Sequence, residues 1–284
     1  MLLVSGAMTT ELTGKACSET TTQWSADTYA LAKGTGSQVT KKGGDTWFFL
    51  TSDYAFGHSL QENTTHFVEE SGGKVVGSVR FPFGSSDFSS FLLQAQASKA
   101  KVIGLEMSGA DLLTSIKQAR EFGIVQSGQN LASLLIYIND VEGLGLDIAQ
   151  GLILTTSFYW DTDEQTRAWS KRFMGRSGGV LPNLITAGTY ASVLHYLKAI
   201  EAAGTDEGTA VVAKMKQTSV NDFYNKDVQI RADGRVMHKM FVMKVKSPAA
   251  SKGRGDDYGL LAELRGEEAY RPLSEGGCSL VPPK

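Results

Sequence analysis

The chain is short of the residues that staple, ligate or anchor. Only two of its 284 residues are cysteine, Cys17 and Cys278, and four are histidine. The thiols lack C-x-x-C spacing, which excludes the ordinary thiolate metal or redox site. By count alone they are either a bonded pair or two unrelated buried thiols. His58, His66, His195 and His238 are scattered and form no H-E-x-x-H pattern, so no metal and no cofactor is expected. No run approaches the ~18–20 consecutive apolar residues of a membrane span, and residues 131–138 and 151–154 are strand-sized. No Lys/Arg block exceeds Lys41-Lys42 and the net charge is −2, so no phosphate-neutralising face exists and nucleic acid is not an expected partner. The opening Met1-Leu2-Leu3-Val4 enters Ser5-Gly6 with no basic leader or long apolar stretch, so it reads as a buried strand and not as a signal peptide.

What is present is an ordinary globular composition, 42% hydrophobic and 20% charged. Single cores stop growing near ~250–300 residues, so two lobes are expected. From 44 to 151 short apolar runs alternate with amphipathic stretches, the mark of strand–helix units in a mostly parallel α/β sheet. The strand 46–50 leads to a helix after Gly57 with Leu60, Thr64 and Phe67 on one face, ended by Gly72-Gly73. The strand 74–79 leads to a helix capped by Ser86 or Asp87, with Phe88, Leu92 and Ala95 inward. A strand at 102–105 precedes a helix over 110–122 that buries Leu112, Ile116 and Ala119 and stops at Gly123. Strands at 131–138 and 152–155 follow. Helical patterns then cover 164–174, 189–202 and 210–216, and a hairpin with Asp233-Gly234 at its turn joins 228–230 to 237–245. The last forty residues read as irregular.

Catalytic patterns fail on context. Gly175-Arg176-Ser177-Gly178-Gly179 matches G-x-S-x-G, but it follows an amphipathic helix where a nucleophile elbow requires a strand. Gly143-Leu144-Gly145 begins a dinucleotide-like pattern, yet Ile148 holds the third glycine position. The chain is not expected to be an enzyme.

Ligands of open α/β sheets bind beyond the carboxyl ends of the strands, so the residues after each apolar run carry the functional signal. They are Ser5-Gly6-Ala7-Met8-Thr9, the run from Ser52 through Tyr54 to Phe56, Met107-Ser108-Gly109, Ile138-Asn139-Asp140 and Ser157-Phe158-Tyr159-Trp160. Small and hydroxyl residues at helix starts offer N–H groups to a carboxylate, and aromatics offer walls. Asp140 can accept an ammonium group, which together with a carboxylate clamp describes an α-amino acid. The alternative is that these Ser, Asn and Asp residues serve only as helix caps.

At these residues the sequence resembles the branched-chain amino-acid binding family of ABC-transporter solute receptors, the type I periplasmic fold. Residues 5–14, from Ser5 to Gly14, resemble the first-lobe loop where that family holds the ligand carboxylate. Asp53-Tyr54-Ala55-Phe56-Gly57 is similar to the start of its second lobe, and Gln118-Ala119-Arg120-Glu121-Phe122-Gly123 to the end of a later helix. Asp147-Ile148-Ala149-Gln150-Gly151 and Asp233-Gly234-Arg235 match as well. The resemblance implies two Rossmann-like lobes: 1–43 with 161–219, and 44–156 with 228–245. It implies hinge crossovers at 157–160 and 220–227 and a tail over 246–284. It implies a first lobe lacking its earlier strand–helix units, a periplasmic location, and a membrane permease as partner. Lobe closure around a small carboxylate is expected, with Ser5, Gly6, Ala7, Met8, Thr9, Tyr54, Phe56, Ser108, Asn139, Asp140, Tyr159 and Trp160 lining one cleft. The oxidising compartment implies a Cys17–Cys278 disulfide. Phe56 stands where the family often has a stacking tyrosine, and Ser108 lies where amino-acid receptors often place an aromatic. Aromatic carboxylates therefore stand beside Leu, Ile and Val as ligands, and a ligand-sensing role on the same fold is the alternative to transport.

Overall fold

In a computed structural model describing residues 1–282, the chain forms β1 (Leu2–Val4), β2 (Thr21–Gln23), α1 (Thr28–Lys41), β3 (Thr46–Ser52), α2 (Ala55–Glu70), β4 (Lys74–Phe81), α3 (Ser89–Ala97), β5 (Val102–Glu106) and α4 (Gly109–Glu121). There follow β6 (Asn130–Ser133), α5 (Ile138–Leu144), α6 (Leu146–Ala149), β7 (Ile153–Thr156), α7 (Glu164–Arg176), α8 (Leu184–Ala203), α9 (Gly208–Gln217), β8 (Met240–Val245), β9 (Tyr258–Leu264) and α10 (Gly266–Ala269). Two compact units result. One holds Met1–Asp27, Ser157–Met240 and Arg265–Lys284, and the other holds Thr28–Thr156 and Phe241–Leu264.

The second unit is built on a sheet of order β4-β3-β5-β6-β7-β8-β9. Pairing is parallel from β4 to β7, and β8 runs antiparallel to β7. Every residue of β5 is buried, as a central strand covered on both faces requires. The helical stripes fall where the 3.6-residue period puts them. Leu60, Thr64 and Phe67 of α2, Leu92 and Ala95 of α3, and Leu112, Ile116 and Ala119 of α4 all point inward. Helix α1 needs Gly34, because a Cβ there would lie 2.3 Å from Thr155 Oγ1 of β7. That close approach lets the Thr35 and Thr155 hydroxyls hydrogen-bond at 2.9 Å.

In the first unit β1 and β2 pair in parallel, and Gln23 bridges Arg235 in the same sense. Trp24, Ala191, Val211, Val212, Met215 and Val236 form its core. Asn183 caps α8 by accepting from the Ile185 and Thr186 N–H groups, and Gly204 closes it in the left-handed region. Cys17 and Cys278 are joined by a disulfide, their Cα atoms 5.6 Å apart.

Several elements differ from expectation. The expected strand over 131–138 stops at Ser133, and Ile138 already belongs to α5. In β1 only Val4 is buried, while Met1 and Leu2 are exposed. The Asp233-Gly234 turn forms, with Gly234 N–H bonded to Arg231 O, but it closes only an Ile230–Val236 bridge. The chain then leaves to place β8 beside β7. The tail is not irregular: β9 extends the sheet, and its last two residues, 283 and 284, lie outside the described ones. The compact units also divide elsewhere than expected. Residues 28–41 fall with the second unit because α1 packs on α2 and β7, and 220–240 fall with the first because Val220, Ile230 and Val236 join its core.

Candidate functional site

In the second unit the carboxyl ends of four parallel strands gather a polar and aromatic set. Tyr54 follows β3 and precedes α2, Phe83 follows β4, Ser108 follows β5, and Tyr137 stands between β6 and α5. The Tyr54 ring lies 6.0 Å from that of Phe56 and 4.9 Å from that of Phe83, centre to centre. Its hydroxyl hydrogen-bonds the Ser108 side chain, and partial burial raises its pKa above the ordinary tyrosine value. Burial pushes Tyr137 up to about 12, with Asp140 and Tyr54 adding in the same direction. At neutral pH both phenols are uncharged, so each offers a donor and an acceptor at a partly apolar surface.

Asp140 accepts the Tyr137 N–H at 3.0 Å through Oδ2. Burial raises its carboxyl pKa, and that hydrogen bond pulls part of the way back. That contact is the reach-back half of a capping box at the start of α5, a helix-capping role of the kind its sequence position allowed. Asn139 is half-buried beside it. Asp111, 4% exposed, accepts the Gly84 N–H at 3.0 Å and so holds the turn that carries Phe83.

In the first unit the loop from Ser5 to Thr9 is held from beneath by β2. Gln23 Nε2 donates to Ala7 O at 3.0 Å and Thr9 O at 3.3 Å, and Ser25 Oγ donates to Ser5 O at 2.5 Å. Gly6 and Ala7 are exposed, whereas Met8 is buried. Thr9 spends its hydroxyl locally, accepting from Glu11 N–H at 3.3 Å at the start of a 3-10 turn. Tyr159 is buried and Trp160 half-buried, with ring centres 6.2 Å apart. Ser177 donates to Val180 O at 3.1 Å at the end of α7 and has no base beside it in that contact. Among the described residues no group of three or more His, Cys, Asp and Glu side chains could hold a metal, and no helix is long and apolar enough to cross a membrane.

The profile of the periplasmic binding protein family matches residues 1–254. The chain belongs to the periplasmic binding protein family. A periplasmic binding protein from Burkholderia mallei is 47% identical, with a TM-score of 0.93 over 97% of this chain and 73% of that one. A branched chain amino acid ABC transporter periplasmic ligand-binding protein from Burkholderia xenovorans is 35% identical, with a TM-score of 0.86 over 97% of this chain and 74% of its own. An ABC-transporter solute binding protein from R. palustris, solved in complex with benzoate, shares the fold at 17% identity, with a TM-score of 0.81 over 93% and 70% of the two chains. No match was found among curated proteins. The family and the two Burkholderia neighbours are periplasmic binding proteins by name, and the α/β architecture with its mostly parallel sheet is theirs.

Within this periplasmic binding protein, the second unit brings Tyr54, Phe56 and Ser108 together as a set, with Asp140 reached through Tyr137. The first unit supplies the Ser5–Thr9 loop and the Tyr159-Trp160 pair. Sequence reading missed Phe83, Tyr137, Asp111 and Gln23. For Phe83 a signal existed, since it lies just past the strand read at 74–79, whereas Tyr137 lies within the apolar run 131–138. Asp111 and Gln23 act by holding backbone, and a lone polar residue in a helix or strand carries no mark of that.

Proposed function

We propose that this chain is the solute receptor of an ABC importer, working in the periplasm with a membrane permease, and that its two units close around a small carboxylate. The observation that carries this reading is the convergence of Tyr54, Phe56, Ser108 and Tyr137 at the carboxyl ends of parallel strands in a member of this family. The loop at Ser5–Thr9 is the proposed carboxylate-holding element. Its exposed Gly6 and Ala7 leave the backbone accessible, while Gln23 fixes its carbonyls inward. Tyr159 and Trp160 are the proposed wall on the same side, and Asn139 a proposed polar contact. The ligand is an amino acid of the branched-chain type or an aromatic acid. The 35% identical relative supports the first by its name, and the aromatic composition of the second-unit set supports the second.

A thermal-shift screen with L-leucine, L-phenylalanine and benzoate tests the reading. A ligand at a hundred times its Kd adds roughly 2.7 kcal/mol of stability, which raises the melting temperature measurably, and it is recovered unchanged. If none of the three moves the melting temperature at millimolar concentration, the small-carboxylate reading fails.

A further inference from the structure

We propose that Phe83 is a specificity-determining residue that stacks on an aromatic ring of the ligand, so that the solute is an aromatic carboxylate. This rests on the receptor reading above and narrows it. Phe83 is 68% exposed, the most exposed of the large apolar side chains. A lone exposed phenylalanine on a free loop needs no explanation. This one is on a fixed turn. Gly84, at φ +82°, donates its N–H to the buried carboxylate of Asp111, and Ser85 Oγ donates to Pro82 O at 2.6 Å. The ring is held edge-tilted against Tyr54, with centres 4.9 Å apart and planes at 56°, which continues the Tyr54–Phe56 wall outward. Aromatic pairs favour such offset and tilted contacts, and a third ring entering beside two fixed ones gains from the same geometry.

The charges at this end of the unit point the same way. An α-amino acid needs a carboxylate placed for its ammonium. The acidic side chains here already hold local structure through one oxygen each: Asp53 with His58 at 2.7 Å, Asp111 with the Gly84 N–H, and Asp140 with the Tyr137 N–H. What remains is a wall of rings bordered by the Tyr54, Tyr137 and Ser108 hydroxyls, which suits a phenyl or hydroxyphenyl group.

The test measures binding of benzoate and L-leucine by calorimetry to the unsubstituted chain, Phe83→Ala and Phe83→Tyr. The expected result is that benzoate binds, that Phe83→Ala weakens it about tenfold, and that Phe83→Tyr restores it. The ligand-free melting temperature should stay the same, because the ring packs on one neighbour at the surface. Equal benzoate affinity in Phe83→Ala overturns the proposal. Binding of L-leucine without benzoate overturns it while leaving the receptor reading intact; binding of neither overturns it, and the receptor reading falls with it if L-phenylalanine also fails to bind. A Phe83→Ala chain with a lowered ligand-free melting temperature overturns it too, by making the residue structural.

Discussion

The guanidinium of Arg235 lies 4.3 Å above the centre of the Tyr270 ring, and both side chains are buried. The charge is surrounded: Nε donates to Val236 O at 3.0 Å, Nη2 donates to Ser25 O, and Nη1 faces the Asp27 carboxylate at 3.6 Å. Tyr270 in turn donates to Met240 Sδ at 3.2 Å. The cluster lies within the first unit and includes Asp27 and Met240, the residues at which two of that unit's segments end. The Asp-Gly-Arg motif at 233–235 thus serves the interior: Asp233 accepts the Arg235 N–H at 3.1 Å and turns the chain so that the arginine points inward.

Replacing Arg235 with Met leaves the Asp27 carboxylate buried without its cation, and breaking a buried pair from one side costs about 3–5 kcal/mol. Tyr270→Leu removes the ring and the hydroxyl that donates to Met240 Sδ, and should cost about 1–3 kcal/mol from the lost cation–π contact and packing. Urea unfolding of both single variants and the double variant checks this. The double variant should be less destabilised than the sum, since its two sites are in contact. Strict additivity would show that the pair is not coupled.

His238 belongs to the same interior. Its Nε2 stands 2.6 Å from Trp24 O, and burial, together with the Arg235 charge, pushes its pKa down to about 3. The unfolded chain takes up this proton near pH 6.5 while the folded chain does not until about 3. Its contribution to stability is therefore complete above 6.5 and is lost as pH falls through that window, at up to about 1.4 kcal/mol per pH unit. His238→Asn should have a lower stability at pH 7 but a shallower loss between pH 6.5 and 4. Parallel curves for the two proteins would refute the assignment.

The second unit was the more legible in sequence because its helices carry regular stripes. Leu60, Thr64 and Phe67 follow one period, and so do Leu112, Ile116 and Ala119. Helix α1 was not legible. Gly34, Gly36 and its threonines are poor helix formers, and the helix exists because Gly34 allows it to seat on Thr155. Strand β9 was hidden in a tail whose charges and glycines masked a half-buried edge. For the site, Tyr54, Phe56 and Ser108 could be read from strand ends, while Tyr137 was lost inside an apolar run taken as one strand. That run ends early because Leu134 to Ile136 are buried as irregular chain leading into α5.

Asp140 separates two roles by experiment. As the cap of α5 it holds the Tyr137 N–H, and Asp140→Ala should cost ligand-free stability by about 0.5–2 kcal/mol. Asp140→Asn keeps an acceptor and should recover most of that. Ligand-free chemical unfolding measures the capping contribution, and an unchanged midpoint in Asp140→Ala would show that the contact to the Tyr137 N–H adds nothing to stability.

Glu106 gives the opposite pH signature to His238. It ends β5 with 0% exposure; its Oε2 accepts from Thr64 Oγ1 at 3.3 Å, and no hydrogen bond reaches Oε1. A Cβ at Gly104 would come within 3.0 Å of Oε1, so the carboxyl is tightly enclosed by its own strand. Burial raises its pKa from 4.5 to about 8. Between those values the folded chain keeps the proton and the unfolded chain releases it, so stability falls as pH rises from 4.5 toward 8 and levels off beyond. Glu106→Gln keeps the shape and can still accept from Thr64 but has no proton to lose. It should match the parent near pH 4 and exceed it at pH 7 by up to about 3 kcal/mol, the excess growing by at most about 1.4 kcal/mol per pH unit. Urea titrations of the two proteins at pH 4, 5.5, 7 and 8.5 measure that difference directly. An excess that is constant with pH would mean that Glu106 is charged in the folded chain and that a partner for it has to be found.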